Sequence, residues 1–227
     1  MEQELIGIEV LQKRKYKDSW EREKLAGQEN LTPELIEALS HDEEQYVRKD
    51  IARHPNLSSQ EIERLSKDEG WVVRLAIAYR DDLTAEQIDR LSHDKDWNVR
   101  EVIARHEDLT PEQIETMSRD EEWWVRKAIA KRDDLTAEQV ERLSRDEDYH
   151  VRATTAERSG LTAEQIERLS RDEEVCVRKT IARRDDLTVE QVKRLSKDDK
   201  MWVRGALQAN PHAQKLLDEK KKRGLKL

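Results

Sequence analysis

The chain has 227 residues, 35% hydrophobic and 41% charged, a composition that excludes a single thick apolar core and fits a thin, elongated one. Its 43 basic and 51 acidic residues give a net charge of −8, so nothing global draws it to nucleic acid or to an anionic membrane. The single cysteine, Cys176, excludes an intrachain disulfide framework and a multi-cysteine metal or iron–sulfur centre.

Residues 1–30 read as a degenerate N-terminal capping repeat. Set in the frame of the units that follow, Leu5 falls on the leading leucine, Arg22 on the shared arginine, Leu25 and Ala26 on an Ile-Ala pair, and Asn30 on Asn56. The segment has no long apolar stretch with a cleavage site, and no part of the chain approaches the ~20 apolar residues of a membrane span. A cytoplasmic protein with no membrane partner is expected.

Residues 31–212 hold seven units of 26 residues, starting at Leu31, Leu57, Leu83, Leu109, Leu135, Leu161 and Leu187. Each reads as a pair of short helices. The first starts at a Thr or Ser cap with Gln or Glu three residues on, as in Thr110–Gln113, Thr84–Gln87, Thr136–Gln139, Thr162–Gln165, Thr188–Gln191 and Ser58–Glu61, the reciprocal arrangement that satisfies orphaned backbone donors. Unit one has Thr32 and Pro33 but Leu35 at the partner position, so its box is incomplete. The second helix is expected to be capped by the aspartate of every unit (Asp42, Asp68, Asp94, Asp120, Asp146, Asp172, Asp198) and to run about three turns. Apolar positions recur at Leu31, Ile36 and Leu39 and then at Val47 and Ile51. Two such helices bury too little surface alone, so stability must come from stacking neighbours.

Residues 213–227 read as a C-terminal cap. Ala213 to Leu217 starts another first helix, which runs into a basic tail.

The second-helix pattern D-x-x-x-x-V-R-x-x-I-A, as in Asp120 to Ala130, resembles that of HEAT-like repeats. With L-T/x-P/A-E-x-I/V-x-x-L following directly, and Asn210-Pro211 or His54, Pro55 and Asn56 at the junction, the unit is similar to the bacterial leucine-rich repeat variant family over roughly residues 5–217. A period of 26 is shorter than tetratricopeptide or ordinary HEAT units, and the signature of true leucine-rich repeats is missing. The resemblance implies an all-α, right-handed α-solenoid of short helical pairs. Some members carry a cysteine-rich iron–sulfur segment; this chain lacks those cysteines, so no cofactor is carried over.

A helical wheel of the second helix puts Val47, Asp50, Ile51 and His54 on a buried arc and positions 45, 46, 49 and 53 opposite it, facing solvent. The units differ most at these four positions. They carry Tyr46, Lys49, Trp71, Tyr79, Trp97, Arg105, Trp123, Trp124, Lys127, Tyr149, Lys179, Arg183 and Trp202, the candidate ligand-binding residues. Shared scaffold positions beside varied aromatic and cationic ones suit a modular recognition surface. Packing of the Trp column between repeats is the competing explanation.

The expected function is therefore non-catalytic binding of a protein or peptide. Nucleic-acid binding is the alternative, by base stacking on the aromatics and phosphate contacts along a stripe of cations at the second-helix ends. Glu101 and Glu157, within that same face, speak against it. No phosphate-cradling loop, zinc spacing or nucleophile elbow occurs, so no enzyme, metal or small-molecule cofactor is expected. The histidines, mainly at positions where other units carry Arg or Lys, read as surface substitutions.

Overall fold

A computed structural model describes residues 18–222, with side chains to residue 219. The first 17 residues of the expected N-terminal cap and the end of the basic tail lie outside the described residues. The chain divides into two compact units, Met1–Gln113 and Ile114–Leu227.

The first unit holds α1 (Ser19–Ala26), α2 (Pro33–Ser40), α3 (Gln45–Ala52), α4 (Ser59–Leu65), α5 (Trp71–Ala78), α6 (Ala85–Ser92) and α7 (Trp97–Ile103); the boundary falls within α8 (Pro111–Met117). The second holds α9 (Trp123–Ala130), α10 (Ala137–Leu143), α11 (Tyr149–Ala156), α12 (Ala163–Leu169), α13 (Val175–Ala182), α14 (Val189–Leu195), α15 (Met201–Gln208) and α16 (Pro211–Lys222). Described residues are otherwise turns and irregular backbone. The architecture is an all-α repeat solenoid of helical pairs. In each unit, second helices lie side by side: α1 on α3, α3 on α5 and α5 on α7, then α9 on α11, α11 on α13 and α13 on α15.

First helices start where their capping residues dictate. Thr136 Oγ1 accepts from Gln139 N while Gln139 Oε1 accepts from Thr136 N, at 3.2 and 2.9 Å; Ser58, Thr84, Thr110, Thr162 and Thr188 do the same. Thr32 caps Leu35 N with no return bond. The glutamines are themselves buried, because their Nε2 amides reach the previous first helix: Gln139 to Glu115, Gln165 to Glu141 and Gln191 to Glu167 in the second unit. One residue type thus joins local capping to repeat stacking.

Second helices depart from expectation in start and length. Each runs seven or eight residues, about two turns, and starts three residues after the unit's aspartate. The aspartate is not the cap. Its carboxylate accepts a backbone N–H two residues on, as Asp146 does from Asp148 N at 2.9 Å, and then faces an arginine twenty residues earlier. Arg126 Nε and Nη2 grip Asp146 at 2.7 and 2.8 Å, and its Nη1 donates to the carbonyls of Asp120 and Glu121. The rung recurs as Arg22–Asp42, Arg48–Asp68 and Arg74–Asp94 in the first unit, and as Arg152–Asp172 and Arg178–Asp198 in the second. Both partners are almost wholly buried, so each rung is a desolvated, bidentate ion pair whose loss leaves an uncompensated charge.

The apolar core follows the period. Leu31, Ile36, Leu39, Val47 and Ile51 are buried, as are equivalents such as Leu161, Ile166, Leu169, Val177 and Ile181. Complete burial of each such side chain contributes about 1.5–3 kcal/mol. A column of alanines (Ala52, Ala78, Ala104, Ala130, Ala156, Ala182), fully buried, lets adjacent second helices approach closely.

Candidate interaction face

The four variable columns do not behave alike. Position 53 and its equivalents, including Tyr79, Arg105 and Arg183, are exposed throughout. Lys49, Lys127 and Lys179 are half-buried, as are Trp97 and Trp123, while Trp71, Trp124, Tyr46, Tyr149 and Trp202 are exposed. The wheel, drawn for one isolated helix, expected all of these positions to face solvent. Lateral packing of second helices covers part of that arc, so the aromatic column is at once surface and inter-repeat packing.

In the second unit this packing makes a continuous aromatic run. Trp124 stacks on Trp123 with ring centroids 3.8 Å apart, Trp123 on His150 at 4.3 Å, and His150 on Tyr149 at 3.9 Å. Lys127 Nζ lies 5.6 and 5.2 Å from the Trp123 and Trp124 centroids, within cation–π range. In the first unit Lys49 sits over Tyr46 in the same way. Trp123 and His150 each lie between two rings and offer edges, while Trp124 and Tyr149 form the exposed ends of the run.

Grooves open at the far ends of the second helices, about 10 Å along their axes. One of about 480 Å³ in the first unit is lined by Tyr79, Arg105 and His106 among others. Two in the second unit, of about 350 and 420 Å³, share Glu157, Arg158 and Ser159, with Lys131 lining one and Arg183 the other. The structure therefore sets Tyr79, Arg105 and Arg183 at the groove edge and Trp123, Trp124 and Tyr149 at the aromatic edge.

Much of the apparent basic stripe is internal. Arg48, Arg74, Arg126, Arg152 and Arg178 are committed to the rungs, and Arg80 and Arg184 grip Asp82 and Asp186 while donating to carbonyls of the preceding repeat. Toward solvent stand Arg53 and Arg105 in the first unit, each beside an acid of its own helix, Asp50 or Glu101, and Lys131 and Arg183 in the second, where Glu157 lines a groove with each; Lys49, Lys127 and Lys179 are half-buried.

The histidines also need correction. His54 is buried with Nε2 on Glu29 O; His106 Nε2 lies 2.6 Å from Ala78 O and His212 Nε2 3.0 Å from Leu187 O. The His54 and His106 donors reach back to carbonyls near the end of the preceding repeat, as Arg158, Arg184 and Asn210 do, whereas His212 reaches the first residue of its own unit. His54 and His106 fill the Arg column because Arg, His and Asn all supply an N–H there, so neither is a surface substitution.

Cys176 is half-buried, and burial pushes its thiol pKa up, the opposite of an activated nucleophile. Among the described residues, no group of three or more His, Cys, Asp or Glu side chains is placed to hold a metal ion, and no helix is long and apolar enough to cross a membrane.

Short helical pairs stacked through buried rungs, with variable residues on one edge, define an α-solenoid repeat scaffold. The chain is similar to a solved structure described as a leucine-rich repeat variant with a novel repetitive protein structural motif, at 29% identity and a TM-score of 0.63, over 82% of this chain and 80% of that one. The likeness to leucine-rich repeat variants read from the repeat therefore holds in three dimensions. No family model matches the chain, and no curated protein does.

Proposed function

We propose that the protein is a non-catalytic scaffold that holds a protein or peptide on the second-helix edges of its units, with Tyr46, Trp71 and Trp97 in the first and Trp123, Trp124, Tyr149 and Trp202 in the second as apolar contacts, and with Lys49 and Arg105, then Lys127, Lys179 and Arg183, as the cationic margins. The observation that carries this reading is the Trp124–Trp123–His150–Tyr149 run. Pre-stacked rings lose little entropy on binding and present broad apolar edges, as hot-spot anchors do. The same run leaves fewer ring faces for base stacking, because Trp123 and His150 each lie between two rings. Commitment of the arginine columns to internal pairs removes much of the phosphate-binding charge.

The test is selection of a displayed random-peptide library on the protein alone, followed by affinity measurement of the enriched peptides on the parent and on a Trp124→Ala/Tyr149→Ala variant. Enriched peptides should bind the parent and lose about 30-fold or more on the variant, as expected of hot-spot truncation. Equal binding to both proteins would sink the assignment of the face. Saturable, salt-sensitive quenching of tryptophan emission by mixed single-stranded DNA or RNA would move nucleic acid to first place.

A further inference from the structure

Among the described residues, the ladder of the second unit ends on an arginine prepared like the others and left without its carboxylate. In the second unit, Arg126, Arg152 and Arg178 are built alike. Nη1 donates to the carbonyls six and five residues back, and the Nε/Nη2 edge grips an aspartate twenty residues on, at 2.7 and 2.8, 2.7 and 2.9, and 2.7 and 3.1 Å. Arg204 keeps the first half: its Nη1 donates to Asp198 O at 2.6 Å and Asp199 O at 3.0 Å. Twenty residues on stands Gly224, which has no carboxylate. Arg204 is half-buried as a residue, and among the described residues nothing meets its Nε/Nη2 edge.

The helix that carries it is also bare on one flank. α9, α11 and α13 are each followed by another second helix; among the described residues α15 is not. Met201 and Trp202 are 63% and 64% exposed, the position that is a fully buried alanine in the preceding repeats is an exposed Gln208, and a Cβ added to Gly205 would meet nothing within 4 Å. Met201, Arg204, Gly205 and Gln208 share one helical stripe.

We propose that this flank is a docking site for a short helix of another polypeptide that presents an aspartate just before its first turn, the carboxylate completing the Arg204 rung and the helix covering Met201, Gly205 and Gln208. Three internal rungs supply the template for the occupant. Its chemistry is that of the chain's own second helices, carboxylate first and small or apolar residues after. An Arg fork already anchored by its third nitrogen loses little freedom on accepting a bidentate carboxylate. The site adjoins the second-helix edge at Trp202 and goes beyond that reading, because it is carried by the Arg204 fork rather than by stacked rings.

The probe is a synthetic peptide with the sequence of residues 170–186, carrying Cys176→Ala and tested with and without Asp172→Asn. Titrated against full-length protein, the parent peptide should bind saturably and slow the hydrogen exchange of the Arg204 Nε–H, seen by ¹⁵N NMR, toward that of Arg126, Arg152 and Arg178. The Asp172→Asn peptide, and the parent peptide on Arg204→Gln, should bind about tenfold more weakly or worse. Arg204→Lys, which keeps the charge but not the fork, should fold normally and still lose most of the binding. Concentration-dependent self-association lost in Arg204→Lys would identify a second copy as the carboxylate donor. No binding by the parent peptide, equal binding by the two peptides, or an Arg204 Nε–H unchanged by peptide would overturn the proposal.

Discussion

Replacing Arg126 with alanine removes one internal rung and tests whether the ladder holds the repeats together. Arg126 and Asp146 are each 8% exposed, joined by two hydrogen bonds, and Arg126 also donates to two carbonyls. Truncation strands the Asp146 carboxylate, still accepting from Asp148 N–H, in a site that water barely reaches. Breaking a buried pair from one side costs about 3–5 kcal/mol, a large part of the roughly 5–15 kcal/mol that holds an ordinary domain. In a stack where each repeat leans on its neighbours, the loss should fall on the α9–α11 interface and split unfolding into two steps. Urea denaturation followed by far-ultraviolet circular dichroism, with hydrogen exchange over 123–156, reads both effects. Arg171→Ala is the control, because that arginine is 62% exposed and its i,i+4 partner Glu167 is 41% exposed; it should cost less than about 1 kcal/mol. Removing both charges, with Arg126→Met and Asp146→Asn, should recover part of the loss, since the amide oxygen still serves Asp148 N–H. A single transition within about 1 kcal/mol of the parent for Arg126→Ala would refute the reasoning.

Acid should loosen the stack through its first helices. Glu63 (by Lys67, Gln87 and Arg90), Glu115 (by Arg142, Gln139 and Arg119), Glu141 (by Arg145, Gln165 and Arg168) and Glu167 (by Arg194, Arg171 and Gln191) are held from 4.5 down to about 2. Depressed carboxyl pKa values give stability that is present above the unfolded value and lost as pH falls from about 5 toward 2, so the urea midpoint should drop across that window, and less steeply in high salt. Thr136→Ala breaks a reciprocal cap and should cost about 1 kcal/mol by the same denaturation assay. Two of the six glycines give opposite expectations: Gly160, at φ 78°, should lose about 1 kcal/mol on change to alanine through backbone strain. Gly205, inside α15 with open space at Cβ, should gain up to about 1 kcal/mol on the same change. Thermal melts of the pair check both signs.

Period, helix class and first-helix starts were legible in the sequence because they rest on local chemistry: a Thr or Ser cap, its Gln or Glu three residues on, and apolar positions in helical register. The same locality misled at the second helix, where the recurrent aspartate has the composition of a cap. Its actual partner is an arginine twenty residues earlier, and no local propensity reports a bond that exists only after two repeats stack. His54 and His106 looked like surface substitutions for the same reason, since their acceptors are carbonyls of the preceding repeat. The candidate face was legible as a set of variable columns, but its character was not. A wheel treats each helix as alone, whereas side-by-side packing decides that Trp123 is half-buried and stacked while Tyr79 stands exposed. The sequence by itself determined the repeating unit and its buried stripe; the tertiary structure decided which charges are consumed between repeats, which rings stack, and that Arg204 ends the ladder without an aspartate among the described residues, because each of these depends on what the neighbouring repeat supplies.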